Sequence, residues 1–189
     1  EIAANTAVEH DSKQCHWFLA MVDIDHFKQV NDGHGHLVGT KLLKDVGHII
    51  KTCVRPEDLC YRYGGDEFVI VIEEVLNDDD LSSFVGQIIE SVETPISLAE
   101  EVLRVSCSIG VAFYPEDASE PAALIKQADV AMYSAKKDAL SGFTYFTRDM
   151  NERAKTRLLL ENKVKRAYSD DCFFNHYQPI IDARTNTTI

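Results

Sequence analysis

Apolar residues follow two rhythms along this chain. Trp17 to Val22 (WFLAMV) is an unbroken apolar run, short enough for a buried strand, and it stops abruptly at Asp23-Ile24-Asp25. From Leu37 to Val54, apolar residues at Val38, Leu42, Val46, Ile49, Ile50 and Cys53 recur at helical spacing, and the helix ends before Pro56. Leu59 to Tyr63 and Glu67 to Glu73 have strand character, and the Gly64-Gly65 pair between them suits a tight hairpin turn with positive φ. A second helix opens at Asp78-Asp79-Asp80 and turns Leu81, Phe84, Val85, Ile88, Ile89 and Val92 to one face before Pro95 stops it. Its three leading acids complement the helix dipole, which is a better account of them than a metal site. Val102 to Tyr114 reads as one long strand, kinked at Gly110.

The order so far is β, α, β, β, α, β, the ferredoxin-like plan of an α+β domain. An added helix from about Glu120 to Asp138, with Pro121 in its first turn, and a short strand at Phe143 to Phe146 follow. Arg148 to Tyr168 is a charged helix with apolar Leu158, Leu159 and Val164, the pattern of a connecting helix. Phe173 to Ile181 reads as a new apolar strand. The expected division is a lead-in at 1–16, a domain at 17–147, a linker helix at 148–170 and the first strand of another domain at 171–189. The chain does not begin with Met and its end reads as a strand, so it is expected to be a piece of a larger protein.

Charge and cysteine content narrow the partners. A net charge of −12 argues against nucleic acid or an anionic membrane surface as the main partner. The five cysteines are odd in number and scattered, as core residues of a reducing cytosol would be, so a cytoplasmic location is expected. No apolar run approaches a bilayer span, although a parent protein anchored in a membrane stays open. Among the seven histidines, His34-Gly35-His36 is too sparse a pattern for zinc.

The candidate chemistry lies where strands meet. In the βαββαβ plan the first and third strands are antiparallel neighbours, so Asp23, closing the first, should face Asp66, opening the third. With the Ile24 carbonyl these make an oxygen shell of the kind Mg²⁺ or Mn²⁺ takes, and such ions are commonly shared with substrate phosphates. The loop after Asp23 adds backbone N–H groups near His26 and Phe27 and the point charge of Lys28 for a phosphate, although Lys28 taken alone is better read as a solvated Lys at a helix start. Glu67 beside the ion is a candidate general base. Asp25 reads as a structural or supporting residue rather than a ligand.

The motifs in these stretches carry a resemblance. Arg62-Tyr63-Gly64-Gly65-Asp66-Glu67-Phe68, Asp23 to Asp32 (DIDHFKQVND), Gly35-His36, Ser108 to Val111 and Ala128 to Lys136 together resemble the GGDEF domain of diguanylate cyclases, over about Phe18 to Phe146. The resemblance implies a palm-like sheet shared with class III nucleotide cyclases, and condensation of two GTP into cyclic di-GMP by a homodimer. It implies Asp23, Ile24 and Asp66 as metal ligands and Glu67 as base or second metal contact. Lys28 would stabilise charge at the transferring phosphorus, Asn31 and His36 would lie at the nucleoside, and Lys136 at the phosphates. Arg55-Pro56-Glu57-Asp58 is similar to the RxxD product-inhibition site, with Arg55 and Asp58 gripping cyclic di-GMP. Phe174 to Thr185 looks like the opening strand of an EAL phosphodiesterase domain, none of whose catalytic residues is present.

Two departures from the family pattern matter. Thr40 stands where an Asp usually accepts hydrogen bonds from guanine, which opens relaxed purine choice. Leu140 stands near the position of an Arg that assists the phosphates, with Lys137 as a poor substitute. A working cyclase and a nucleotide-binding module that regulates an adjoining phosphodiesterase both remain open. Cyclic di-GMP is expected as product and inhibitor in the first case.

Overall fold

In the computed structural model the described residues are 17–73, 78–98, 101–137 and 142–185. The first strand, β1 (Trp17–Ile24), is buried along its whole length. Its unbroken apolar run suits that place, because β1 is the central strand of a five-stranded sheet and is covered on both faces. Helices α1 (Phe27–His34) and α2 (His36–Cys53) lead to the hairpin β2 (Leu59–Gly64) and β3 (Glu67–Glu73). Then come α3 (Asp78–Glu93), β4 (Ile96–Leu98), β5 (Glu101–Leu103), β6 (Cys107–Tyr114), α4 (Pro121–Ala135), β7 (Phe143–Tyr145) and α5 (Arg148–Ser169).

The sheet order is β2-β3-β1-β6-β7, antiparallel throughout except for the β6 and β7 pair. This is the expected α+β, ferredoxin-like arrangement with an added helix and strand. Even-numbered residues of β1 (Phe18, Ala20, Val22) pack with Leu42, Val46 and Ile50 of α2 and Val85 and Ile88 of α3. The odd ones (Trp17, Leu19, Met21) face α4 through Leu124, Ala128 and Met132. Period-two alternation thus divides the apolar run between two cores.

Three expectations are corrected. The loop expected after Asp23 contains helix α1 at Phe27–His34; none of its residues is fully buried, so no apolar periodicity marks it. The long strand over Val102 to Tyr114 is two: β5 pairs with β4 in a separate hairpin, and 104–106 are in no strand before β6 begins. Gly110 is not a kink but lies within the regular ladder of β6, opposite Met21. Its missing side chain serves α4 instead, because a Cβ there would collide with the Met132 nitrogen and the Ala128 carbonyl oxygen.

The chain forms two compact units, Glu1–Asn151 and Glu152–Ile189. In the second, α5 continues to Ser169 with Leu158, Leu159 and Val164 exposed. Residues 172–180 form no regular element, contrary to the expected strand at Phe173 to Ile181. A strand exists by pairing, and no ladder partner is found for this stretch among the described residues.

Candidate functional site

The site grows from the register of β1. Asp23 lies directly opposite Glu67 of β3 on one side and Ser108 of β6 on the other. Directly opposed residues of an antiparallel pair send their side chains to one face. Asp23 and Glu67 therefore share the face covered by α4. Asp66, expected to open β3 opposite Asp23, sits instead in the turn; its carbonyl accepts the Ile24 N–H at 3.3 Å. A residue's N–H and C=O point to the same side of a strand, so the Ile24 carbonyl also faces this turn.

The turn is held by its own residues. Gly65 adopts φ 52°, the left-handed region that only glycine occupies freely. Arg62 grips the Gly65 carbonyl from Nε at 2.9 Å and from Nη2 at 2.5 Å. The two acids that follow are fixed in position as a result.

From the other side, α4 brings Lys136, whose Nζ lies 2.6 Å from Asp23 Oδ1. The contact is a charge pairing rather than a well-aligned hydrogen bond, and that buried oxygen has no other partner. Burial pushes the Asp23 carboxyl above the usual carboxylate range; Lys136 opposes this, and the neighbouring charges of Asp66 and Asp25 add to it. Burial likewise raises Glu67, helped by the charges of Asp129, Asp23 and Asp66 and opposed by Lys136. Asp129 was absent from the sequence-derived set. Its spacing of seven residues from Lys136 places both on one stripe of α4, which is the signal that would have found it.

The remaining predicted residues surround this group in two further places. His26 takes a left-handed conformation (φ 57°) and starts α1, on whose first turn Phe27 packs toward the core and Lys28 is exposed. The Asn31 side chain lies against Gly39 of α2, where a Cβ would displace it. His36 and Thr40, on the opening turns of α2, are exposed, and Thr40 donates its hydroxyl hydrogen to the His36 carbonyl at 2.8 Å. Lys137 holds its ammonium 4.1 Å from the Tyr133 ring centre, so it is engaged away from the role of a substitute phosphate contact. Leu140 lies outside the described residues.

Arg55 and Asp58 precede β2 and are closed on each other. The Asp58 carboxylate accepts the Arg55 backbone N–H at 2.9 Å, Nε at 3.0 Å and Nη2 at 2.8 Å, and Nη2 also reaches the Glu73 carbonyl at 2.6 Å. The pair thus fastens the start of β2 to the end of β3.

No group of three His, Cys, Asp or Glu side chains among the described residues is arranged to hold a metal. The carboxylates gathered here are those of Asp23, Asp66 and Glu67. No described helix is long and apolar enough to cross a membrane.

The site thus sets Asp23 of the central strand and Glu67 of its neighbour β3 beneath Lys136, next to a glycine turn, in an α+β domain. Residues 2–140 match the family described as diguanylate cyclase, GGDEF domain. The chain is 36% identical over 166 residues to the cyclic di-GMP phosphodiesterase PdeR of Escherichia coli K12, covering 88% of this chain and 25% of PdeR. It is 35% identical over 179 residues to MucR of Pseudomonas aeruginosa, a bifunctional diguanylate cyclase/cyclic di-GMP phosphodiesterase, covering 95% of this chain and 26% of MucR. The fold is similar to the GGDEF domain of TpbB from Pseudomonas aeruginosa, with a TM-score of 0.73 and 33% identity over 82% of this chain and 88% of that one. This chain belongs to the GGDEF-domain family of diguanylate cyclases. It spans about a quarter of the length of the two curated relatives.

Proposed function

We propose that this domain condenses two molecules of GTP into cyclic di-GMP, acting as a homodimer in which each subunit holds one GTP. The observation that carries the reading is the register: Asp23 and Glu67 are direct partners on the face where Lys136 arrives. Such a grouping of like charges has a cost that a bound cation relieves. In each half-reaction the 3′-hydroxyl oxygen of one GTP attacks the α-phosphorus of the other, pyrophosphate leaves, and Glu67 takes the hydroxyl proton. Burial raises Glu67 toward the basicity such a role requires. Lys28 and the first N–H groups of α1 bind phosphate oxygens. Lys136 exchanges its partner Asp23 for the triphosphate when substrate enters.

Asp23, Asp66 and the Ile24 carbonyl fit Mg²⁺ or Mn²⁺, being oxygen donors only, with Asp23 Oδ1 buried and lacking an aligned donor. The ion, when bound, neutralises triphosphate charge and favours departure of pyrophosphate.

Product inhibition through Arg55 and Asp58 would require Arg55 to leave Asp58 and take up a phosphate or guanine edge. We also infer, from the names and greater length of PdeR and MucR, that 171–189 open an EAL phosphodiesterase domain in the parent. The second reading, a nucleotide-binding module that regulates that phosphodiesterase, is favoured by Thr40, whose hydroxyl replaces a guanine-binding carboxylate.

Incubation of the dimer with Mg²⁺ and GTP, with products identified by mass, decides between them. Cyclic di-GMP from wild type and none from Glu67→Gln supports the cyclase; tight GTP binding without product from wild type overturns it in favour of the module.

A further inference from the structure

The acid that the metal and base assignments leave unused is Asp25. It is the first residue beyond β1, and three hydrogen bonds tie it to the strand start on the far side of the sheet. Its N–H donates to the Ser106 carbonyl at 2.9 Å. Its carboxylate accepts the Ser106 hydroxyl on Oδ2 at 2.7 Å and the Ser108 hydroxyl on Oδ1 at 2.9 Å. Both carboxylate oxygens are therefore occupied by donors from one short segment.

What this clamp holds is the entry to α1. The next residue, His26, is in the left-handed conformation without a glycine, and nothing on its side chain caps the helix. An eight-residue helix with no buried side chain does not hold its own place. Its far end is fixed by Asn31 against Gly39 and by the Gly35 N–H donating to the Asn31 carbonyl at 2.9 Å. Its near end, where the Phe27 and Lys28 N–H groups lie, is held by Phe27 packed against the core and, one residue before His26, by Asp25 bound to Ser106 and Ser108. The serines receive Asp25 where the ladder between β1 and β6 begins, with Ile24 opposite Cys107 and Asp23 opposite Ser108.

We propose that Asp25 is a positioning residue for nucleotide binding. Clamped by Ser106 and Ser108, it sets the left-handed turn at His26 and so fixes the first amides of α1 relative to Asp23. This rests on the reading of those amides as a phosphate site. It adds that the affinity of the site for a triphosphate depends on Ser106, just before β6, and on Ser108 within it.

The test is amide hydrogen exchange and GTP kinetics on the dimeric protein carrying Asp25→Ala, Asp25→Asn or Ser106→Ala/Ser108→Ala. Exchange at Gln29 and Val30, whose N–H groups donate to the His26 carbonyl, should quicken about tenfold or more in Asp25→Ala and in the double serine variant, with α2 and β6 unchanged. Asn keeps an acceptor, and its amide can donate to the second serine oxygen, so Asp25→Asn should recover much of the protection. KM for GTP should rise about tenfold while kcat falls less than threefold. If Asp25→Ala fails to fold, the serine pair decides. Unchanged exchange at Gln29 and Val30, or a uniform rise across the whole domain, overturns the clamp. If wild type neither binds nor converts GTP, the phosphate reading fails while the exchange data still judge the clamp.

Discussion

Lys136, at the C-terminal cap of α4, and Asp23 of β1 stand 2.6 Å apart across the interface between helix and sheet, and Asp23 is buried with the charges of Asp66 and Asp25 near it. Removing the lysine leaves a buried carboxylate facing Asp66 and Asp25 with no cation. Lys136→Ala is expected to destabilise the domain by about 1–3 kcal/mol at pH 7, below the range for fully buried pairs because Lys136 is one-third exposed. Asp23→Asn in the same background should restore much of that loss, since no charge is then left unpaired. Urea denaturation of the single and double variants checks this. A Lys136→Ala midpoint equal to wild type would show that the pair contributes nothing to the fold.

The position of Lys136 depends on a glycine in the sheet. An added methyl at Gly110 meets backbone atoms of Met132 and Ala128, which have no rotamer to move aside. Gly110→Ala should therefore cost about 1–3 kcal/mol and lift α4, lowering cyclic di-GMP production by more than its stability loss explains. Gly86, in the interior of α3 with open space around its missing Cβ, is the contrasting site. Gly86→Ala should stabilise by about 0.4–1 kcal/mol with activity unchanged. Denaturant midpoints of the two variants moving in the same direction would contradict this account.

Much of this architecture was legible in the chain, for reasons that differ by element. The apolar run Trp17 to Val22 and the Gly64-Gly65 turn are local signals, and they lead directly to β1, the β2–β3 hairpin and the approach of Asp23 to the acidic turn. Helix α1 was not legible because its residues are polar or half-buried, so its place is set by contacts such as Asn31 on Gly39 rather than by periodicity. The break before β6 has no local signal, because Ser106 and Ser108 are bound there by Asp25, a residue remote from them in sequence. Asp66 and Glu67 exchanged expected places because one residue of register decides which acid of an adjacent pair faces a strand neighbour. The self-pairing of Arg55 with Asp58 is likewise a matter of side-chain conformation, which a four-residue motif does not specify.

That self-pairing has a consequence for the inhibitory-site reading. The Asp58 side chain is 1% exposed and accepts three hydrogen bonds from Arg55, so it supports the start of β2 whether or not a ligand binds there. Asp58→Ala should cost about 1–3 kcal/mol, because the Arg55 N–H and guanidinium lose a charged acceptor. Calorimetric titration with cyclic di-GMP, alongside thermal melting, separates the two effects. A variant with weakened cyclic di-GMP binding and an unchanged melting temperature would show that the carboxylate serves the ligand alone.

The buried thiol beside the site sets an alkaline limit. Burial first, then the charges of Asp25, Glu93 and Asp23, pushes Cys107 from near 9 up to about 12. Below pH 9 the thiol is neutral in folded and unfolded chains alike and contributes no pH dependence. Between 9 and about 12 the unfolded chain releases the proton first, so stability falls as pH rises. The difference in urea midpoint between pH 8 and pH 10.5 should therefore be smaller for Cys107→Ala than for wild type. At pH 8, iodoacetamide should label exposed Cys172 at least about tenfold faster than Cys107, read by peptide mass. Equal labelling would mean that this edge of the core opens readily.

Thr40 offers the sharpest test of what the nucleoside pocket selects. Its hydroxyl hydrogen is committed to the His36 carbonyl, so toward a base it presents only oxygen lone pairs. Guanine brings two adjacent donors, N1–H and the 2-amino group, which a carboxylate accepts together and a single hydroxyl does not. Adenine lacks the N1–H and loses less by the difference. Hydrogen bonds to a charged acceptor are worth about 1.5–3 kcal/mol against about 1 for neutral ones, so Thr40→Asp should raise the preference for GTP over ATP about tenfold. An acid in the opening turns of α2 also suits the helix dipole, so stability should hold within about 0.5 kcal/mol. Wild type given equal GTP and ATP should then form some mixed cyclic dinucleotide, and Thr40→Asp almost none. A product ratio unmoved by the substitution would mean that base selection lies with Asn31 and His36, and that position 40 takes no part in it.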